Sequence, residues 1–331
     1  MISPFTRRGL VHGVTLLVLL VLPFAAEAAG DPFITIIASR ILIYAIAAVS
    51  LDLILGFGGM VSFGHGAFFG IGGYAVGILT HHAMEGTAIP FLPGEIPGTT
   101  AALIQFPLAV LAAGAMGLLI GALSLRTRGV YFIMITLAFA QMLYFFMISL
   151  PTYNGEDGLN IWERSALPVG DLYDDTTFYY LSLGLLLAFL ALAARIVNSR
   201  FGMVIRGCRQ NEPRMRTLGY PVYRYKLAAF TISAMGAGLA GALIANHNEF
   251  VGPGMMHWTR SGELMVMVIL GGMGTLLGPV AGAATLLLIE EILSQFTEHW
   301  MIILGPFLVI VVLFARHGVY GWLVGKDGRD G

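Results

Sequence analysis

Hydrophobic positions in this chain run in long unbroken stretches, and polar residues punctuate them at intervals near bilayer width. An α-helix needs about twenty apolar residues to cross about 30 Å of hydrocarbon. The pattern predicts spans near residues 10–29, 33–55, 61–82, 101–125, 129–150, 178–197, 225–246, 263–275, 279–297 and 299–316. The eighth is too short to cross comfortably, which predicts a re-entrant or broken segment. The expected fold is all-α, a polytopic membrane helical bundle of about ten spans, within a range of eight to ten. Residues 1–331 read as a single transmembrane domain without an internal repeat, a low-complexity segment or a separate soluble domain.

The first thirty residues fit two readings. Arg7-Arg8, the run Val14–Leu22 and the small residues Ala25-Ala26-Glu27-Ala28-Ala29 imitate a secretory signal. They also fit an uncleaved first span, which we prefer because it gives a consistent charge map.

Composition agrees with a membrane protein. Charged residues make up 11% of the chain and hydrophobic ones 57%, where a soluble domain would be about 25% charged. Basic residues concentrate in one place: Arg200, Arg206, Arg209, Arg214, Arg216, Arg224 and Lys226 face a single acid, Glu212. Lys/Arg-rich loops resist translocation, so residues 198–226 are expected in the cytoplasm. Ten crossings that start inside also finish inside, which puts both termini in the cytoplasm. Fifteen of the eighteen Lys/Arg then lie on that side or at its edge, leaving Arg40, Arg164 and Arg260 outside. The loop 151–177 carries six acids against Arg164 and is expected to be periplasmic. A lone cysteine, Cys208, excludes a disulfide framework and a multi-cysteine metal site.

Enzyme signatures are missing. The only lysines are Lys226 and Lys326, and neither closes a phosphate-binding loop, so ATP hydrolysis is not expected on this chain. No H-E-x-x-H motif exists, and Gly59 to Gly64 misses the nucleophile-elbow register. His81-His82 has no obvious partner and reads as an interfacial pair at a helix end. We read no catalytic residue, metal site or nucleic-acid surface.

Other signals concern helix packing and polar groups at membrane depth. Gly117/Gly121, Ala234/Gly238/Ala242 and Gly274/Gly278/Gly282 recur every four residues, as in seams where helix backbones approach closely. The many glycines of the run Gly56–Tyr74 weaken a helix there, yet the segment lies at membrane depth. Irregular backbone at membrane depth is tolerated only inside protein or beside a water-filled cavity. Broken helices of this kind build transporter sites, and close packing is the competing reading. Asp52, Glu263, Glu290 and Glu291 are acids within spans, where charge is costly and tends to be functional. The alternative for each is a partner on another helix. Proton coupling through these acids would make the chain a stand-alone secondary transporter.

The glycine run from Gly56 to Tyr74 resembles a signature of permeases in branched-chain amino acid ABC importers. Arg128-Gly129-Val130-Tyr131-Phe132 through Gln141, Asn154 to Leu159, Ser199 to Gly202, Leu218-Gly219, Leu270 to Gly274 and Leu277-Gly278-Pro279 follow in that family's order. The likeness covers roughly residues 35–300 and favours the LivM-type subunit over the LivH-type.

The resemblance implies a type II importer-like fold in the bacterial inner membrane. Its implied partners are a homologous LivH-type permease, two cytosolic ATPases and a periplasmic substrate-binding protein, all working across the lipid bilayer. ATP and Mg would sit on the ATPases, with no cofactor on this chain. The basic segment becomes the coupling loop, with Arg209, Glu212, Arg214, Leu218 and Gly219 facing the ATPase. Ser62, Gly64, His65, Gly66, Phe68, Phe69, Gly271, Gly272 and Gly274 become the substrate pathway. Arg214 and Met215 replace the small pair usual in the family's loop. Asp52 stands where many members carry Asn, a change that would favour a cationic or strongly donating ligand. Branched-chain and other small apolar amino acids lead as substrates, with urea, short amides and aromatic acids open.

Overall fold

The computed structural model describes residues 7–89, 97–167, 171–296, 299, 302–303, 305–306 and 318–324. Among the described residues eleven helices follow one another: α1 (Arg7–Ala29), α2 (Phe33–Leu55), α3 (His65–Glu85), α4 (Ala102–Ser124), α5 (Val130–Ile148), α6 (Asp175–Val197), α7 (Arg200–Thr217), α8 (Val222–Asn248), α9 (Trp258–Gly271), α10 (Gly278–Phe296) and α11 (Gly318–Val324). Six of them, α2, α4, α5, α6, α8 and α10, are long and apolar enough to cross a membrane. The chain is therefore an all-helical, multi-pass membrane protein. The tenth predicted span, 299–316, lies almost wholly outside the described residues.

Helix α8 is the centre, packed against α2, α3 and α4. Its small residues explain why. A Cβ added at Gly238 would overlap Ala113 of α4, and one at Gly241 would overlap the Phe69 carbonyl oxygen of α3. Helix α3 answers with Gly72, where a Cβ would overlap the Gly238 carbonyl. In a lipid solvent hydrophobicity gives no net drive between apolar helices, so close backbone approach supplies the attraction. The seam in α4 behaves likewise, with Gly117 against Ala234 and Gly121 against Leu227 and Phe230. Gly271 and Gly282 bring α9 and α10 together in the same way.

Helix α1 lies against α2 and α6. The hydroxyls of Tyr179 and Tyr180 donate to the Leu19 and Leu20 carbonyls at 2.7 and 3.0 Å.

The two ends of the bundle differ in charge. One holds the basic helix α7. At the other, residues 159–160 pair antiparallel with 250–251 in a two-stranded ribbon, β1 and β2. Beside this ribbon the Ser165 backbone N–H donates to Asn246 Oδ1 at 2.8 Å, and Gln105 Nε2 donates to Thr80 at 2.9 Å. The first bond ties the acidic loop to α8, and the Ser165 hydroxyl also donates to Gln105 Oε1 of α4, which the second bond joins to α3. Arg164 also holds the loop, donating to Glu249 at 3.0 Å, to the Leu172 carbonyl at 2.9 Å and to Asp175 at 3.4 Å.

Helix and pattern part in three places. The predicted third span begins at 61, but helix starts only at His65, and 56–64 is irregular. The glycines from Gly66 to Gly73 are nevertheless helical, because neighbouring backbone fills the space their missing side chains leave. The eighth span is a composite. After α8 the chain turns back as an extended and 3₁₀ stretch along α3, then forms the 14-residue α9 and breaks at 272–277. His81-His82 corrects an expectation: it does have partners, since His81 lies 3.3 Å from Glu85 while His82 meets Thr87 at 2.7 Å and Tyr153 at 3.3 Å.

Candidate functional site

At the basic end α7 is two helices joined at Asn211, whose backbone (φ −156°, ψ 93°) is not helical. The Asn211 side chain accepts the Arg214 N–H at 3.0 Å and so caps the second, short helix. That helix stops at Gly219, which has φ +84°. The Tyr220 N–H reaches back to the Met215 carbonyl at 3.2 Å and the Gly219 N–H to Arg216 at 3.0 Å, the Schellman pattern that glycine closes without steric cost.

Glu212 does not point outward. It accepts from Lys226 at 2.6 Å and Arg216 at 2.7 Å and pairs with Arg128 at 3.0 Å, leaving its side chain 15% exposed. Burial pushes its carboxyl up, but the hydrogen bond and charge of Lys226, followed by Arg128 and Arg216, outweigh that and hold it below the ordinary glutamate range. Met215 folds back against Gly207 and the cluster of Val204, Cys208 and Val222. Arg214, Leu218 and Gly219 are exposed, as are Pro213, Arg216, Thr217 and Tyr220, whereas Glu212 and Met215 are half-buried.

Two contacts link this end to the interior. Arg209 donates to the Gly56 carbonyl at the end of α2. One turn earlier, buried Asp52 accepts the Gly274 N–H at 2.9 and 3.2 Å. Gly272 (φ +119°) and Gly274 (φ +77°) shape that break in conformations that L side chains rarely adopt. Asp52 is thus an internal fastener, not a carboxylate open to a ligand. Thr275 caps the return helix, accepting from Gly278 at 3.1 Å.

The irregular stretch 56–64 is held by side chains of other helices. Thr136 of α5 accepts the Phe63 N–H at 3.3 Å. Ser261 of α9 accepts the Gly66 N–H and donates to the Phe63 carbonyl, both at 2.7 Å. Ser62 is buried and accepts the Gly64 N–H at 3.2 Å. His65 is fully buried, with Nε2 2.7 Å from the Ser233 hydroxyl. That hydroxyl donates to the Ser50 carbonyl, so its one hydrogen is committed and Nε2 must be the donor. Edge-on aromatic contacts with Phe68 and Phe230 complete the setting. Phe68 and Phe69 lie in the hydrophobic core.

The remaining acids sit in the half of the bundle nearer the acidic end. Glu290 accepts from Arg40 at 3.1 Å and Glu263 from Arg260 at 2.7 Å. Glu291 lines a cavity of about 350 Å³ together with Arg40, Tyr44 and Arg260. A second cavity of about 290 Å³ shares Ile36, His247 and Asn248 with the first and extends to Arg164 and Asp175. Sequence reasoning grouped Ser62 to Phe69 with Gly271 to Gly274, and α9 does connect them. It passed over Arg40, Arg260, Thr136, Ser233 and Ser261. Arg40 carried a signal, since a cation within a span is as costly as an acid, whereas Arg260 lies ahead of the predicted eighth span. The hydroxyls carried none.

The family model described as "Branched-chain amino acid transport system / permease component" matches residues 33–313. The high-affinity branched-chain amino acid permease protein LivM of Salmonella typhimurium is 29% identical over 307 residues, covering 86% of this chain and 69% of that protein. The probable LivM of Methanocaldococcus jannaschii is 23% identical, covering 85% and 88%. Escherichia coli LivH is 24% identical over 293 residues, covering 84% and 91%. No solved structure matches the chain. With the family match extending from the start of α2 through α10, the chain belongs to the permease family of branched-chain amino acid transport systems.

Proposed function

We propose that this chain is one transmembrane permease subunit of an ATP-driven importer for branched-chain or other small apolar amino acids. The observation that carries the reading is the family match over residues 33–313, joined to a polar connection from the basic end into both helix breaks. Its partners are a second, LivH-type permease, two cytosolic ATPases that hold ATP and Mg, and a periplasmic binding protein. The fold is of the type II importer kind with about ten spans in a bacterial inner membrane. Residues 198–226 and both termini face the cytoplasm, and 151–177 faces the periplasm. The chain itself is no enzyme.

Arg214, Leu218 and Gly219 form the ATPase-facing turn, while Glu212 and Arg209 tie that turn to the bundle. ATP-driven closure moves the turn, and Arg209 passes the movement to Gly56. The segments containing Ser62, Gly64, His65 and Gly66, and Gly271, Gly272 and Gly274, then alternate access, with Phe68 and Phe69 as the packed wall behind them.

The test is uptake by the assembled importer. Gly219→Pro cannot adopt φ +84°, and Glu212→Arg replaces the shared acid with a fourth cation. Each is expected to leave ATP hydrolysis running without matching uptake. Normally coupled uptake in both variants would sink the assignment. The alternative reading, a permease for urea, short amides or aromatic acids, is tested with those compounds in the same assay.

A further inference from the structure

The larger cavity has a composition that neither a packing void nor a lipid-facing groove requires. Its floor is charged. Arg40 and Arg260 both lie within electrostatic range of the buried Tyr44 hydroxyl, as do Glu263 and Glu290. Each arginine already has one acidic partner, at 3.1 and 2.7 Å. A guanidinium carries five N–H donors in a planar fork, so one carboxylate partner leaves donors on each. Glu291 has no ion-pair partner among the described residues and belongs to the same lining. Phe33 and Ile36 supply apolar wall. At about 350 Å³ the cavity falls in the range of small-ligand sites.

Its position is also informative. Arg260 lies beside Gly66, where an added Cβ would come within 3.2 Å of the arginine Cβ. The cavity therefore adjoins the break at 56–64, while its neighbour leads toward Arg164 and Asp175 at the acidic end. The site stands between that end and the irregular backbone.

We propose that this cavity binds a zwitterionic α-amino acid with an apolar side chain, a reading that rests on the importer function above. Arg40 and Arg260 take the carboxylate, Glu291 takes the ammonium group, and Phe33 and Ile36 receive the side chain. Opposite charges at the two ends and apolar wall between them select against urea and neutral amides, which have no carboxylate for the arginines.

Leucine uptake by the full importer in proteoliposomes tests this, with leucinol, which lacks the carboxylate, as competitor. Arg260→Gln is expected to raise the KM for leucine at least about tenfold while leaving inhibition by leucinol unchanged. Ile36→Trp, which fills the cavity, is expected to weaken both. Co-purification with the partner subunits checks that each variant is assembled. Wild-type leucine KM in assembled Arg260→Gln and Ile36→Trp would overturn the site and leave the importer function standing. A wild-type importer that takes up no amino acid would overturn both. Bound phospholipid that is lost in Arg260→Gln without a change in leucine KM would show a lipid headgroup on the arginines and overturn the proposal.

Discussion

Glu212 gathers three cations where the chain is otherwise crowded with positive charge. Removing it would leave Arg128, Arg216 and Lys226 facing one another. Because its folded pKa lies below the unfolded value, its contribution to stability is complete above the ordinary glutamate range. That contribution is lost as pH falls through the depressed folded value. We therefore expect the thermal midpoint of the purified wild-type protein to fall more steeply than that of Glu212→Gln as pH drops below about 5. Parallel curves would show that the hub adds nothing to stability. From the sequence Glu212 is expected to face the ATPase; in the fold it ties three of the chain's own cations together. An acid among cations reads as a docking anchor until the fold shows that the cations around it are its own. Asp52 is the same lesson at the other end of the contact chain. Its residue type suggested a cationic ligand, and its actual partner is the backbone N–H of Gly274, more than two hundred residues away.

At the scale of elements, the small-residue seams divide from the glycine breaks by what surrounds them. Gly241 presses on the Phe69 carbonyl, whereas Gly184 of α6 has open space around it. Gly241→Ala must push α8 off α3 and is expected to cost about 1–3 kcal/mol. Gly184→Ala is expected to be neutral or to stabilise by up to about 1 kcal/mol through helix propensity. Thermal unfolding of the two variants in detergent checks the pair, and equal midpoints would contradict the close α3–α8 contact. Spacing found the seams of α4 and α8, because a repeat of four places small side chains on one helix face. It misplaced Gly274, which lies in the break ahead of α10 with φ +77° and leaves only Gly278 and Gly282 in the helix. The short eighth span was legible too, from its length alone. The 3₁₀ stretch that completes it was not, because what holds it is packing of Met255 and Met256 against α3, nearly two hundred residues earlier in the chain.

Across the whole molecule, the two breaks and the basic helix form one connected unit through Arg209, Gly56, Asp52 and Gly274. Coupling needs an element that both ends can bias, and this connection meets that condition. Asp52→Asn keeps an oxygen for the Gly274 N–H, while Asp52→Leu strands that buried donor at a cost of about 1–3 kcal/mol. In the assembled importer we expect Asp52→Asn to retain ATP-driven uptake and Asp52→Leu to hydrolyse ATP with much less uptake. Equal uptake in both would remove Asp52 from the coupling path.

By itself the sequence determined what depends on near neighbours in the chain. Runs of apolar residues set the helices, four-residue spacing set the seams, and the clustered arginines marked one end of the bundle as basic. Ordered motifs set the family. The tertiary structure alone decided which charges are paired, which glycines pack and which bend the chain, and where the cavity lies. Those outcomes depend on atoms that meet only after the helices assemble. Arg40 meets Glu290 across 250 positions of sequence, a separation that no local periodicity records.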